Sequence, residues 1–220
     1  MDLQITKTSL LNLLSRQLSN LLCFELDELA FLEFCVDQAL LDCEYCFSRT
    51  QNKYYECNGR TYFNPFHSGQ YTIFLYFASR RAFLNQGTEL CEQFKSKGLA
   101  DRIYYLNRIL NSVDLFYEVE LPRFFCLDHP IGAVIGRARS IGEGFTFSQG
   151  CTVGNNKGTY PVIGKNVQMF SNSKLVGDSV VGDNVLISAN TYIKDTSIPA
   201  NSVVFGGPRD LVIKPANVLK

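Results

Sequence analysis

Ten positions in the second half of the chain recur at intervals of six, and all ten are apolar. Ile135, Ile141, Phe147 and Val153 form one series, and Ile163, Met169, Leu175, Val181, Ile187 and Ile193 form another. The step from 153 to 163 inserts four extra residues into the rhythm. A helix repeats every 3.6 residues and a half-buried strand every two, so neither produces this pattern. A period of six belongs to a hexapeptide-repeat β-helix, where each short strand stacks on the one a full turn below and one side chain per hexapeptide enters a narrow core. Gly136, Gly142, Gly154, Gly164 and Gly182 each follow a core position, where glycine's backbone freedom suits tight corners. Small residues occupy the fifth place of several repeats (Ser173, Ser179, Thr191, Ser197), while Arg139 and Phe145 break that habit, so the first coil is expected to be irregular.

The grammar changes near residue 120. Six of the seven prolines and twelve of the sixteen glycines lie beyond it. Before it, apolar residues follow a 3–4 spacing: Leu10 to Leu22, Leu29 to Cys43, Ile73 to Leu84 and Ile103 to Val113. The polar, turn-rich stretch 48–70 is read as a connecting segment. The fold class expected is α+β. A mainly helical N-terminal domain (1–112) precedes a left-handed parallel β-helix of hexapeptide repeats (113–210) and a C-terminal tail (211–220).

Charge narrows the partners. With 21 basic and 21 acidic side chains there is no electrostatic footprint for nucleic acid. The most apolar stretch, Leu21 to Val36, is broken by Glu25, Asp27, Glu28 and Glu33, so no membrane span is expected. The N-terminal MDLQITKTSLLNLL lacks the features of a signal peptide, which makes a cytoplasmic location and reduced cysteines the expectation for all eight thiols. Cys43-x2-Cys46 with Cys57 and His67 fits no standard zinc spacing, so no metal is expected there.

The segments VDLF (113–116), LDHPIGAVIG (127–136), QGCTVGNNKG (149–158), YPVIGKNV (160–167) and SIPANSVVFGGP (197–208) resemble the serine acetyltransferases. Those enzymes join a helical N-terminal domain to a left-handed hexapeptide β-helix and carry VDIH…LDHATG, TLGGTGK and HPKI segments. The resemblance covers about residues 112–210. It implies acetyl-CoA as co-substrate, a homotrimer, and a catalytic Asp–His pair fifteen residues apart, which Asp114 and His129 match. It also implies that Asp128 faces the acceptor, that a backbone N–H at Gly154 or Asn155 stabilises the oxyanion, and that Ser171 and Ala189 line the wall receiving the pantetheine arm. Thr159-Tyr160 stand where that family has the Arg-His that helps hold the amino acid, which points away from serine. Tyr160 can instead offer a ring face and a hydroxyl to a sugar.

The chemistry fits these residue types. Acetyl transfer from a thioester to a hydroxyl needs a base, a stabilised oxyanion and aligned substrates. An imidazole, with its ordinary pKa of about 6.5, can take the proton, and a carboxylate on its other nitrogen fixes the tautomer. The function expected is an acetyl-CoA-dependent O-acetyltransferase acting on a saccharide hydroxyl, in the surface-polysaccharide branch of these enzymes. The alternatives are serine O-acetylation for cysteine synthesis and amino-sugar N-acetylation. A γ-type carbonic anhydrase needs three histidine ligands, and the chain has only His67 and His129. A non-catalytic β-helix used for assembly would have no need of the Asp–His pair.

Overall fold

The computed structural model describes residues 1–93 and 98–216. It divides into two compact units, Met1–Asn111 and Ser112–Lys220.

The first unit contains helices α1 (Lys7–Leu21), α2 (Leu29–Phe47), α3 (Ser68–Leu84), α4 (Glu89–Gln93) and α5 (Leu99–Asn111). Thr6 caps α1 by accepting from the Ser9 N–H, and Leu10, Leu11, Leu14 and Leu18 form its buried stripe. Helix α3 is buried nearly all round, from Gly69 to Ser79, which marks it as the central helix. Its polar Gln70 is satisfied, donating to the Tyr54 carbonyl and accepting from the Asn64 N–H, each at 2.6 Å. Two bidentate ion pairs, Arg81–Asp42 and Arg102–Glu28, tie the helices together. Burial pushes the Cys35 thiol up to about 12 and Cys43 well above the usual thiol range. Cys46 and Cys91 are also buried. Among the described residues no three His, Cys, Asp or Glu side chains are grouped to hold a metal ion, and no helix is long and apolar enough to cross a membrane.

The segment 48–70 is more than a connection. Glu56–Cys57 and Arg60–Phe63 form an antiparallel hairpin, and Asp2–Leu3 adds a parallel third strand. Asn58 and Gly59 make the two-residue turn, with φ of 52° and 76°. Asn-Gly is the strongest short hairpin signal, and it places the turn inside the segment expected to be a mere connection.

The second unit is a parallel β-solenoid with three faces. We call them C, D and E. Face C stacks Asp114–Leu115, Val134–Ile135, Thr152–Gly154, Lys174–Val176 and Tyr192–Lys194. Face D stacks Phe125–Asp128, Phe145–Ser148, Gln168–Met169, Leu186–Ile187 and Ser202–Phe205. Face E stacks Ser140–Ile141, Val162–Ile163, Val180–Val181 and Ser197–Ile198. Register aligns Ile135, Val153, Leu175 and Ile193 in one column, Phe147, Met169 and Ile187 in a second, and Ile141, Ile163 and Val181 in a third. All ten residues of the six-residue rhythm therefore point inward. Nine are buried, and Ile141 is half-buried because face E has no strand beneath it. The extra four residues form a loop closed by an Asn156–Thr159 bridge. Phe145, one coil above Phe125, is fully buried and packs on Phe147, with ring centroids 5.5 Å apart. Part of the expected tail is a strand: Val212–Pro215 pairs antiparallel with Ser202–Phe205, and residues 217–220 lie outside the described residues.

The glycines serve a purpose other than the one expected. Gly142, Gly164 and Gly182 do not adopt positive φ. They stack in one column, where a Cβ at each would lie 2.5 Å from an atom of the coil above. Close approach of coils requires them. Asparagines take left-handed corners above Gly144 and Gly150: Asn166, Asn184 and Asn201 (φ 53°, 57°, 55°) in one column, Asn172 and Asn190 (both 61°) in another. The first column is a side-chain ladder, Asn166 to Asn184 to Asn201, with both links 3.0 Å.

Candidate active site

His129 closes the lowest strand of face D. Leu127 pairs with Phe147, Phe147 with Met169 and Met169 with Ile187. Two residues beyond each lie His129, Gln149, Ser171 and Ala189, one above another along the D/C edge. The expected base and the two residues expected to receive the pantetheine arm therefore share one edge. His129 has φ 49°, an uncommon conformation for a non-glycine residue, because Pro130 cannot take the left-handed corner that Gly150, Asn172 and Asn190 take in the coils above. Its side chain is 87% exposed.

The turn that carries His129 is closely tied down. Ile131 N–H donates to the His129 carbonyl (2.8 Å) and Ala133 N–H to Pro130 (3.0 Å). Gly132 N–H donates to Ser112 (2.7 Å), Asp114 N–H to Ala133 (2.9 Å) and Gly150 N–H to Ile131 (3.0 Å). These bonds stitch the histidine turn to the strand of Asp114, which is half-buried at the foot of face C. Both candidate catalytic residues thus lie in the first coil. Among the described residues, the carboxylate beside the imidazole is Asp128, with Oδ1 3.7 Å from Nε2.

The remaining candidates lie on the C/E edge. Gly154 ends its strand, pairs with Val176, and has open space where a Cβ would be. Asn155 is exposed, and among the described residues its N–H makes no hydrogen bond. Its neighbour Asn156 anchors the four-residue loop by donating to Asp195 Oδ2 (2.7 Å). Tyr160 is half-buried, and sequence reasoning missed what surrounds it. Arg139 donates to its carbonyl (2.9 Å) and to Asp178 Oδ1 (2.7 Å), clamping three coils. The Arg137 guanidinium lies over its ring, 5.5 Å from the centroid. The six-residue register could have found this, since Arg137 and Arg139 fall directly beneath Thr159 and Pro161. Below, a cleft of ≈ 590 Å³ is lined by Arg123, Arg137, Arg139, Glu118, Glu120 and Glu143. The D/C and C/E edges bound face C on opposite sides.

No family model matches the chain. It is 32% identical over 127 residues to the serine acetyltransferase of Staphylococcus xylosus, covering 55% of this chain and 58% of that protein. The chain spans about half the length of the curated relatives it matches. Among solved structures it is similar to Neisseria gonorrhoeae serine acetyltransferase in complex with serine, with TM-score 0.62, 20% identity, and 96% of this chain and 85% of that one covered. A serine acetyltransferase in complex with CoA superposes with TM-score 0.52 and 18% identity over 83% of this chain and 69% of that one. At these identities the structural likeness is one of fold. The relatives carry the serine name, and the surface-polysaccharide branch expected from the sequence finds no support among them.

Proposed function

We propose that the chain is an acetyl-CoA-dependent O-acetyltransferase, with L-serine as the acceptor that its relatives' names support best. The observation that carries the transferase reading is the first coil: His129 stands exposed at a left-handed corner stitched to the strand of Asp114. In the reaction, the neutral imidazole of His129 takes the acceptor hydroxyl's proton as the oxygen attacks the thioester carbonyl. Asp114, on the strand stitched to the histidine turn, holds the other ring nitrogen and stabilises the imidazolium. The Asn155 N–H faces the developing oxyanion. The CoA thiolate then leaves and takes the proton from His129. Acetyl-CoA is a co-substrate, its pantetheine arm lying along Ser171 and Ala189.

His129 and Asn155 belong to different edges of one solenoid. They meet when the D/C edge of one copy faces the C/E edge of the next. A heterologous contact of this kind closes into a homotrimer, with sites between copies, when successive copies are related by a threefold rotation. A saccharide hydroxyl is the second acceptor reading, favoured by the uncharged Thr159-Tyr160. The test is thiol release from acetyl-CoA by the purified chain, its mass first established by light scattering, against L-serine and a panel of nucleotide sugars and amino sugars. Turnover of serine well above every sugar is expected of a trimer, and a sugar preferred over serine would replace the acceptor.

A further inference from the structure

We infer that Arg137 supplies the cation that holds the acceptor's carboxylate, from the coil below the position where Thr159-Tyr160 offer none; this rests on the serine reading above. The observations are local. Arg139 is committed to the Tyr160 carbonyl and to Asp178. Arg137 is exposed, with its guanidinium over the Tyr160 ring. Glu118 and Glu143 share its cleft, and among the described residues neither forms a salt bridge with it. A guanidinium that lies on an aromatic face and is unpaired with a carboxylate is weakly hydrated and presents a fork of N–H donors. That fork matches a carboxylate bidentately. Tyr160 therefore acts as a platform for Arg137, beside the Asn155 N–H on the same edge. In the trimer proposed above, Arg137 lies on the C/E edge that faces the neighbouring copy's D/C edge, which carries His129. The structure thus offsets the missing charge at 159–160 by a substitution one coil away.

The experiment compares L-serine with L-serinamide, which keeps the hydroxyl and ammonium and lacks the carboxylate. Calorimetric binding and thiol-release kinetics are both read on the full chain, with Lys165→Ala as a control for loss of one surface charge. Arg137→Ala is expected to weaken L-serine binding and raise its KM by about ten- to a hundredfold, with little change for serinamide. Arg137→Lys should recover only part, because an ammonium cannot reproduce the planar fork. Tyr160→Leu should weaken serine in the same direction. Retention of the serine-over-serinamide preference in Arg137→Ala overturns the assignment. So does a wild-type chain that binds the two equally. The 3′-phosphate of the donor is the other anion this site could take. If Arg137→Ala instead erases the difference between acetyl-CoA and its 3′-dephospho form, the anion is that phosphate and the carboxylate assignment fails. Serine binding that depends on Arg137 without turnover would sustain this inference while refuting the transferase reading.

Discussion

Replacing His129 with asparagine separates chemistry from folding. Asparagine adopts the left-handed conformation readily, so it suits the φ of 49° at this corner. The side chain is 87% exposed, and its removal forfeits little burial. The turn is held by backbone bonds from Ile131, Gly132, Ala133 and Gly150, which the substitution leaves in place. Stability should therefore change by less than about 0.5 kcal/mol. Loss of a general base lowers turnover by about 10² to 10⁴, equivalent to about 3–5 kcal/mol on the barrier. Alanine at the same position should lose as much activity and up to about 1 kcal/mol of stability besides, because its Cβ meets the left-handed penalty without asparagine's local hydrogen bonding. The two carboxylates then divide by kinetics. Asp114→Asn should lower kcat, though less than loss of the histidine, and Asp128→Asn should raise KM for the acceptor. The assays are thiol release at saturating acetyl-CoA and urea unfolding of each variant. Near-normal turnover by a folded His129→Asn protein would sink the mechanism, and an unfolded one would refute the claim that the corner is held by its backbone.

Two further outcomes test the frame. Asn184→Ala should destabilise the solenoid by about 2 kcal/mol, losing two ladder bonds and acquiring a strained φ, while Asn184→Gly should lose only about half that; equal losses in urea unfolding would show that the corner is unstrained. Cys35, pushed up to about 12 by burial, stays protonated in the fold while the unfolded thiol ionises above about 8.5. Its contribution is therefore complete below that pH and is lost as pH rises toward 12, by about 2 kcal/mol at pH 10. The drop in unfolding free energy between pH 7.5 and pH 10 should shrink by that amount in Cys35→Ala, and an unchanged drop would place its cause elsewhere.

Sequence alone determined the solenoid, its core positions and the pause in its rhythm. Each coil repeats one local solution, so periodicity carries the packing directly, and Ile135 through Ile193 could be assigned from spacing. It also flagged Asp114 and His129, because the residues flanking them resemble those of a known family. The tertiary structure decided what depends on neighbours in adjacent coils. It showed that Gly142, Gly164 and Gly182 are required by stacking, since a Cβ at each would clash with an atom of the next coil, distant in the chain. It put His129 in line with Ser171 and Ala189 and placed Asn155 and Tyr160 on the other edge of face C. It laid the Arg137 guanidinium over the ring of Tyr160 from a coil below. The hairpin at Asn58-Gly59 was legible and overlooked, whereas all-round burial of α3 was not legible, because it depends on helices that surround it from distant parts of the chain. A repeat writes its own contacts into the sequence; a site assembled across coils and edges is written only in their stacking.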